Sequence, residues 1–181
     1  MTHATLDRPA MTPTRTTDFS DPMTLRRAFG HYPSGVAALA AEVDGAKHVV
    51  IASSFMVGIS LDPPLVQFAI QNTSQTWPKL REAERIGVSV IGQDQGPLSR
   101  QLAGRDRDAR FEGVGHNQVE GGAVLLHDAP ITFECSVYAE YPAGDHEVIL
   151  LKVEALTCDD ESEPIVFHGS RFRDLIDRFT N

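Results

Sequence analysis

Three short stretches of this chain hold polar groups where the surrounding pattern does not ask for them. The first is Ser53 and Ser54, inside an otherwise apolar run that starts at Val49 and is followed by Phe55. Two hydroxyls in an apolar strand mark either a bulge or a place where backbone approaches a polar ligand. Phe55 beside them suits packing near a planar ring. The second stretch, Asn72 to Pro78, sets Ser74 and Thr76 just ahead of a helix start. Free N–H groups and partial positive charge at such a terminus hold a phosphate, and hydroxyls add donors. Taken alone, ordinary capping of the helix is the simpler account. The third is His146, preceded by Gly144 and Asp145. A lone loop histidine is most often a solvated group; Asp145 beside it supplies a carboxylate able to orient it.

Several other chemistries lack their motifs. There is no GxxxxGK[ST], no GxSxG and no HExxH in the chain. Gly113 and Gly115 form a GxG without a third glycine and without a preceding strand, which weakens a Rossmann reading. His146 and Glu147 are adjacent, so on a strand they face opposite sides and do not build one metal site. Cys135 and Cys158, the only two cysteines, form no CxxC pair. Cys135 falls in an alternating apolar run and reads as a buried small hydrophobe. Free cysteines of this kind fit a reducing cytoplasm.

The elements that must position these groups follow from the pattern. Residues 1–19 carry five Thr before position 17 and no apolar period, the composition of a loosely docked tail. No apolar h-region marks a secretory signal there. Ser20, Asp21 and Pro22 open a helix that Gly30 can end. Strands are expected over 35–43 and 47–52, joined by an Asp44–Gly45 hairpin turn, with a further strand at 55–60. Leu61 to Pro64 turns the chain into a strand at 65–70. Helix is expected over 74–85, strand over 86–91, and a short helix over 98–103. The charged, Gly-rich segment 104–122 reads as a long loop of the functional kind. Strands 131–141 and 147–155 flank a hairpin loop at 142–147. A short strand at 164–168 and a closing helix at 171–179 end the chain. Many short strands, few helices and no βαβ alternation describe a mainly β (α+β) fold, a closed antiparallel barrel with peripheral helices.

The chain has 181 residues, 41% of them hydrophobic, enough for one domain with a real core; we place it at 20–181. A formal charge of −9 disfavours nucleic acid and anionic lipid, and 7% aromatics provide no stacking platform for single strands. No apolar run reaches the ~18 residues of a membrane span.

In order and spacing these segments resemble the flavin reductases that supply reduced flavin to two-component monooxygenases. The resemblance covers about 23–175. It rests on Tyr32-Pro33-Ser34-Gly35-Val36, Ala52 to Phe55, Ser60 to Val66, Ser74 to Thr76, and Tyr141 to His146 followed by Val148-Ile149-Leu150. It implies an FMN-binding split β-barrel that dimerises, with FMN or FAD in each subunit and NADH or NADPH as reductant. It further implies that Ala52, Ser53, Ser54 and Phe55 line the isoalloxazine, and that Asn72, Ser74 and Thr76 meet the ribityl chain and phosphate. Phe111 would close over the flavin, and His146 would stand on the nicotinamide side, with no certain side-chain catalyst. The lack of an obvious Arg cluster for a 2′-phosphate favours NADH. The sequence departs from the family at Ile51, where a Thr is common, and at Ala40, another usual Thr. Two neighbouring readings share the barrel: a non-catalytic flavin carrier or sensor, and an oxidase related to pyridoxamine-phosphate oxidases.

Overall fold

The structure, a computed structural model, describes residues 15–176. Helix α1 spans Pro22–Phe29. The Asp21 carboxylate accepts the Met23 N–H at 2.9 Å, and Pro22 occupies the first turn, where its missing N–H costs nothing. Gly30 follows as its C-cap.

Seven strands form one antiparallel sheet: β1 (Ala37–Val43), β2 (Ala46–Ala52), β3 (Met56–Leu61), β4 (Pro64–Gln71), β5 (Ile86–Val90), β8 (Ile131–Ala143) and β9 (His146–Cys158). Their order is β2-β1-β5-β8-β9-β4-β3. The two edge strands, β2 and β3, are consecutive in sequence and joined only by Ser53, Ser54 and Phe55, so the sheet curls until its edges adjoin. Alternate residues on one face then share one interior: Leu39, Phe68, Val88, Cys135, Ile149 and Leu151 belong to a single buried cluster. This is the barrel core. A second apolar layer lies on the outer face of β1 and β2, where Ala38, Ala40, Val49 and Leu102 pack together. It is roofed by α3 (Gly96–Leu102) and by two small hairpins. These are β6 (His116–Gln118) with β7 (Val124–Leu126), and β10 (Val166–His168) with β11 (Arg171–Arg173).

Three expectations from the sequence change. Helix over 74–85 shrinks to the single turn α2, Trp77–Leu80. Trp77 and Leu80 drive into the barrel core, 3% and 0% exposed, and one turn is all that their spacing needs. The hairpin loop at 142–147 contracts to Gly144 and Asp145, because Gly144 adopts φ 69° at the first central position of a two-residue turn. The closing helix at 171–179 begins instead as strand β11, paired to β10 through Phe167 and Phe172; residues 177–181 lie outside the described residues. The tail placed at 1–19 also falls mostly outside them. Residues 15–19 are exposed and without regular structure. No helix is long and apolar enough to cross a membrane among the described residues.

A cavity in the split of the barrel

The barrel does not zip shut between β2 and β4. Strand β2 pairs with β1 on one side only. The Asp44–Gly45 turn, with φ of 52° and 77°, pairs Val43 with Ala46 across a two-residue hairpin. Alternation from that pair turns the N–H and C=O of Val49 and Ile51 away from β1. The geometry agrees, since Arg110 reaches from outside and donates Nη1–H to the Val49 carbonyl at 3.1 Å. The edge facing the gap therefore keeps backbone donors and acceptors for a ligand. A cavity of about 550 Å³ fills the gap. Val49 to Ser54 form one wall. The end of β4, Ala69 to Gln71, forms the opposite one, and Thr73, Ser74, Thr76 and His146 stand along it. Leu102, Ala103 and Arg110 complete the lining.

The serine pair divides its labour. Ser54 Oγ donates to the Ala69 carbonyl at 2.9 Å and accepts the Ala69 N–H at 3.1 Å. It stands in for a backbone partner at the point where β3 has not yet begun to pair with β4, whose register starts at Met56 opposite Gln67. Its hydroxyl is a structural staple of the cavity floor. Ser53 is exposed and its hydroxyl has no hydrogen-bond partner among the described residues, so it is the free one. Ala52 is buried and lines the cavity. Phe55 does not line it; the ring packs inward, 6.0 Å from that of Phe133.

Along the other wall, the Ser74 hydroxyl accepts the N–H of Trp77 at 3.1 Å and of Thr76 at 3.4 Å. It caps the single turn of α2, as the simpler sequence account had it, while facing the cavity. Thr76 makes no side-chain cap bond and its hydroxyl is open to the cavity. Because α2 packs on β1 and β2, Thr76 is carried toward the β2 wall. Asn72 is placed one step back. Its Nδ2 donates to the Gly144 carbonyl at 3.2 Å and its N–H to the Asp145 carbonyl at 3.0 Å. It ties the end of β4 to the β8–β9 turn rather than lining the cavity.

That tie fixes His146. The residue opens β9 opposite Gln71 of β4, so the two-residue turn projects its half-buried ring into the cavity mouth. Its Nδ1–H donates to the Asp145 carboxylate at 2.7 Å. This bond holds the exposed Asp145 carboxyl below its ordinary range and leaves Nε2 as the free nitrogen.

Arg110 was not singled out from the sequence. It sits in a short 3-10 turn, Asp108–Phe111, within the charged segment 104–122 that reads as a functional loop without marking any one of its charges. Its Nε–H donates to the Gly104 carbonyl at 2.8 Å and Nη1–H to Val49. Both acceptors are neutral, and no carboxylate lies within ion-pair distance among the described residues. Partial burial, with Arg107 nearby, lowers its pKa. A guanidinium anchored in this way keeps one amino group unspent, and such a group suits a phosphate or carboxylate. Phe111 next to it turns into the second apolar layer and packs against His116, with ring centroids 5.4 Å apart.

Residues 29–175 match the family model described as flavin reductase like domain. An NADH-dependent flavin reductase of Rhodococcus is 35% identical over 158 residues, covering 85% of this chain and 86% of that protein. The reductase component of 4-hydroxyphenylacetate 3-monooxygenase from Thermus thermophilus is 29% identical over 153 residues, covering 83% of this chain and 95% of its own length. Among solved structures, an NADH:FAD oxidoreductase of Streptomyces globisporus, in complex with NAD and FAD fragments, superimposes with a TM-score of 0.84 at 29% identity, over 91% of this chain and 99% of that one.

Proposed function

This chain belongs to the flavin reductase-like family, and on that premise we propose that it is an NADH-dependent flavin reductase whose reduced flavin serves a partner monooxygenase. The flavin is FMN or FAD. The observation that carries the reading is the split-barrel cavity: a backbone edge and the Ser53 hydroxyl on one wall, the Thr76 hydroxyl on the other, and a guanidinium without a carboxylate partner among the described residues. That donor set suits a ligand with a planar polar ring at one end and a phosphate at the other.

A flavin held in this cavity would supply, at N5, the acceptor for a hydride from nicotinamide C4. What the protein contributes is placement and exclusion of water. The Val49 N–H and the edge groups of Ile51, with Ser53 Oγ, would hydrogen-bond the ring's heteroatoms, the Val49 carbonyl being taken by Arg110. Ala52 packs that wall on the core, and the Ser54 staple ties it to Ala69, beside Ile70, on the opposite wall. Thr76, Ser74 and Arg110 take the ribityl and phosphate end, with Asn72 acting through the β8–β9 turn. His146, fixed by Asp145, stands at the mouth, where the nicotinamide must enter. Phe55 and Phe111 support the walls from behind.

On this reading the protein works as a homodimer. Met56, Val57, Ile59 and Leu61 of edge strand β3 are 50%, 55%, 36% and 90% exposed, an apolar row that a second copy would cover. The two unpaired cysteines suit a reducing cytoplasm, and the folded domain is taken as 20–181.

Steady-state oxidation of NADH and NADPH with FMN, FAD or riboflavin as acceptor tests the proposal. Flavin-dependent turnover, with NADH the better donor, is expected. No turnover with any pair would overturn it. Flavin that stays bound through purification and is reduced only slowly would point to a carrier or sensor instead.

A further inference from the structure

Glu140 of β8 turns its carboxylate toward the barrel interior. Its strand partner is Ile149, whose own partner on β4 is Phe68, and residues directly opposite one another share a face of the sheet. Ile149 and Phe68 are 0% and 1% exposed in the barrel core, so Glu140 is carried on the inner face. A bulge between Val137 and Ala139 is the cause. Val137 also packs inward, opposite Leu151, and unbroken alternation would bring Ala139 inward and leave Glu140 in water. The carboxylate pairs with Arg81 at the end of α2, Oε2 lying 2.6 Å from Nη2. The Glu140 side chain is 18% exposed and that of Arg81 47%. The other oxygen, Oε1, is buried and has no hydrogen-bond partner among the described residues.

We propose that Arg81 and Glu140 are positioning residues: their ion pair locks the α2 turn, and with it Ser74 and Thr76, to the hairpin that carries His146. The inference rests on the flavin reductase reading and adds to it two residues outside the cavity lining. A charge drawn out of water with one oxygen unpaired stabilises little, so stability does not account for the bulge that brings it inward. Connectivity does. Residues 72–76 run from β4 to α2. At one end Asn72 bonds the Gly144 and Asp145 carbonyls of the β8–β9 turn. At the other, Arg81 closes α2, its N–H donating to the Trp77 carbonyl at 3.0 Å, and its guanidinium returns through Glu140 to the same β8–β9 hairpin. One hairpin thus holds the segment at both ends. A single helical turn seated only by Trp77 and Leu80 would keep the freedom to pivot on the core, and the ion pair removes it. A site of this kind needs supporting contacts that hold each donor to within about 0.5 Å.

The test compares the full chain with Arg81→Met, Arg81→Lys and Glu140→Gln. FMN and riboflavin are titrated into each, binding is read from the emission of Trp77, the single tryptophan of the chain, and Tm is measured alongside. Arg81 is exposed, so its replacements fold even if Glu140→Gln does not. FMN affinity is expected to fall about fivefold or more in Arg81→Met and Glu140→Gln, and to stay within about twofold of native in Arg81→Lys, which keeps the ion pair. Riboflavin has no phosphate to hold, and its affinity should change by less than about twofold. A lower Tm with unchanged FMN affinity makes the pair a structural contact; it overturns the proposal and leaves the reductase reading intact. Equal losses for FMN and riboflavin overturn it as well. If the native chain binds FMN, the variants bind it weakly and none reduces it, the reductase reading fails and the positioning pair stands. No FMN binding by the native chain overturns both.

Discussion

Replacing Arg110 by Met keeps most of the aliphatic stem and removes only the guanidinium. Two consequences separate cleanly. The carbonyls of Val49 and Gly104 lose their donors, at 3.1 and 2.8 Å. Val49 lines the open cavity and Gly104 is partly exposed, so water replaces the guanidinium and the stability loss stays at about 1 kcal/mol. A ligand phosphate, by contrast, loses a charge-assisted bond in a partly desolvated site, worth about 2 kcal/mol, or roughly 30-fold in affinity. Riboflavin carries no phosphate and loses nothing. The assay is initial-rate NADH oxidation with FMN and with riboflavin, at low and high salt. The expected result is a KM for FMN raised about 30-fold, a KM for riboflavin unchanged, and a salt dependence of FMN use that disappears in the variant. A parallel rise for both acceptors would refute the reasoning. It would mean that Arg110 shapes the β2 edge and does not bind the anion.

The two serines should part company under mutation. Ser54→Ala removes the partner of the Ala69 N–H and C=O; water in the open cavity takes its place, and the change should cost about 1 kcal/mol, roughly 2–4 °C in Tm, read by thermal unfolding. Ser53→Ala should leave Tm unchanged and raise the flavin KM; the reverse pattern would contradict the assignment of the free hydroxyl. His146→Ala should raise KM for NADH more than KM for flavin, and equal losses would remove it from the nicotinamide side. The Asp145 carboxyl is held low by the His146 bond, so what it adds to stability is full above the unfolded carboxylate value and is lost as pH falls through the lowered one. The Tm gap between native chain and Asp145→Asn should therefore be present at neutral pH and close in strong acid. Burial, with Glu154 and Glu134 adding to it, pushes the Cys135 thiol up to about 12. An alkylating reagent at pH 8 should accordingly label the exposed Cys158 and spare Cys135 until the chain unfolds, as counted by mass spectrometry.

Much of this protein is written in local patterns. Period-2 alternation, the Asp44–Gly45 turn and the Asp21–Pro22 cap are short-range signals, and each produced the element it encodes. So did the burial of Cys135, which alternation alone assigns to the barrel interior. The sequence also marked Ser53, Ser54, Ser74, Thr76 and His146 as groups in need of explanation, and all five line one cavity. Their individual duties were beyond it. Ser53 and Ser54 are the same residue type at adjacent positions, and only the place where β3 starts pairing with β4 decides which hydroxyl is spent. The helix at 74–85 stopped after one turn because the barrel end needed Trp77 and Leu80, a packing demand absent from local propensity. Arg110 was hidden for a related reason. Segment 104–122 reads as a functional loop, but a string of alternating charges does not say which of them meets a ligand until the chain folds the loop across the β2 edge, 61 residues away in sequence. The chemistry of the groups is therefore a property of the sequence. Which of them remain unsatisfied, and face one another across the split, is a property of the closed sheet, because only long-range pairing consumes some donors and leaves others free.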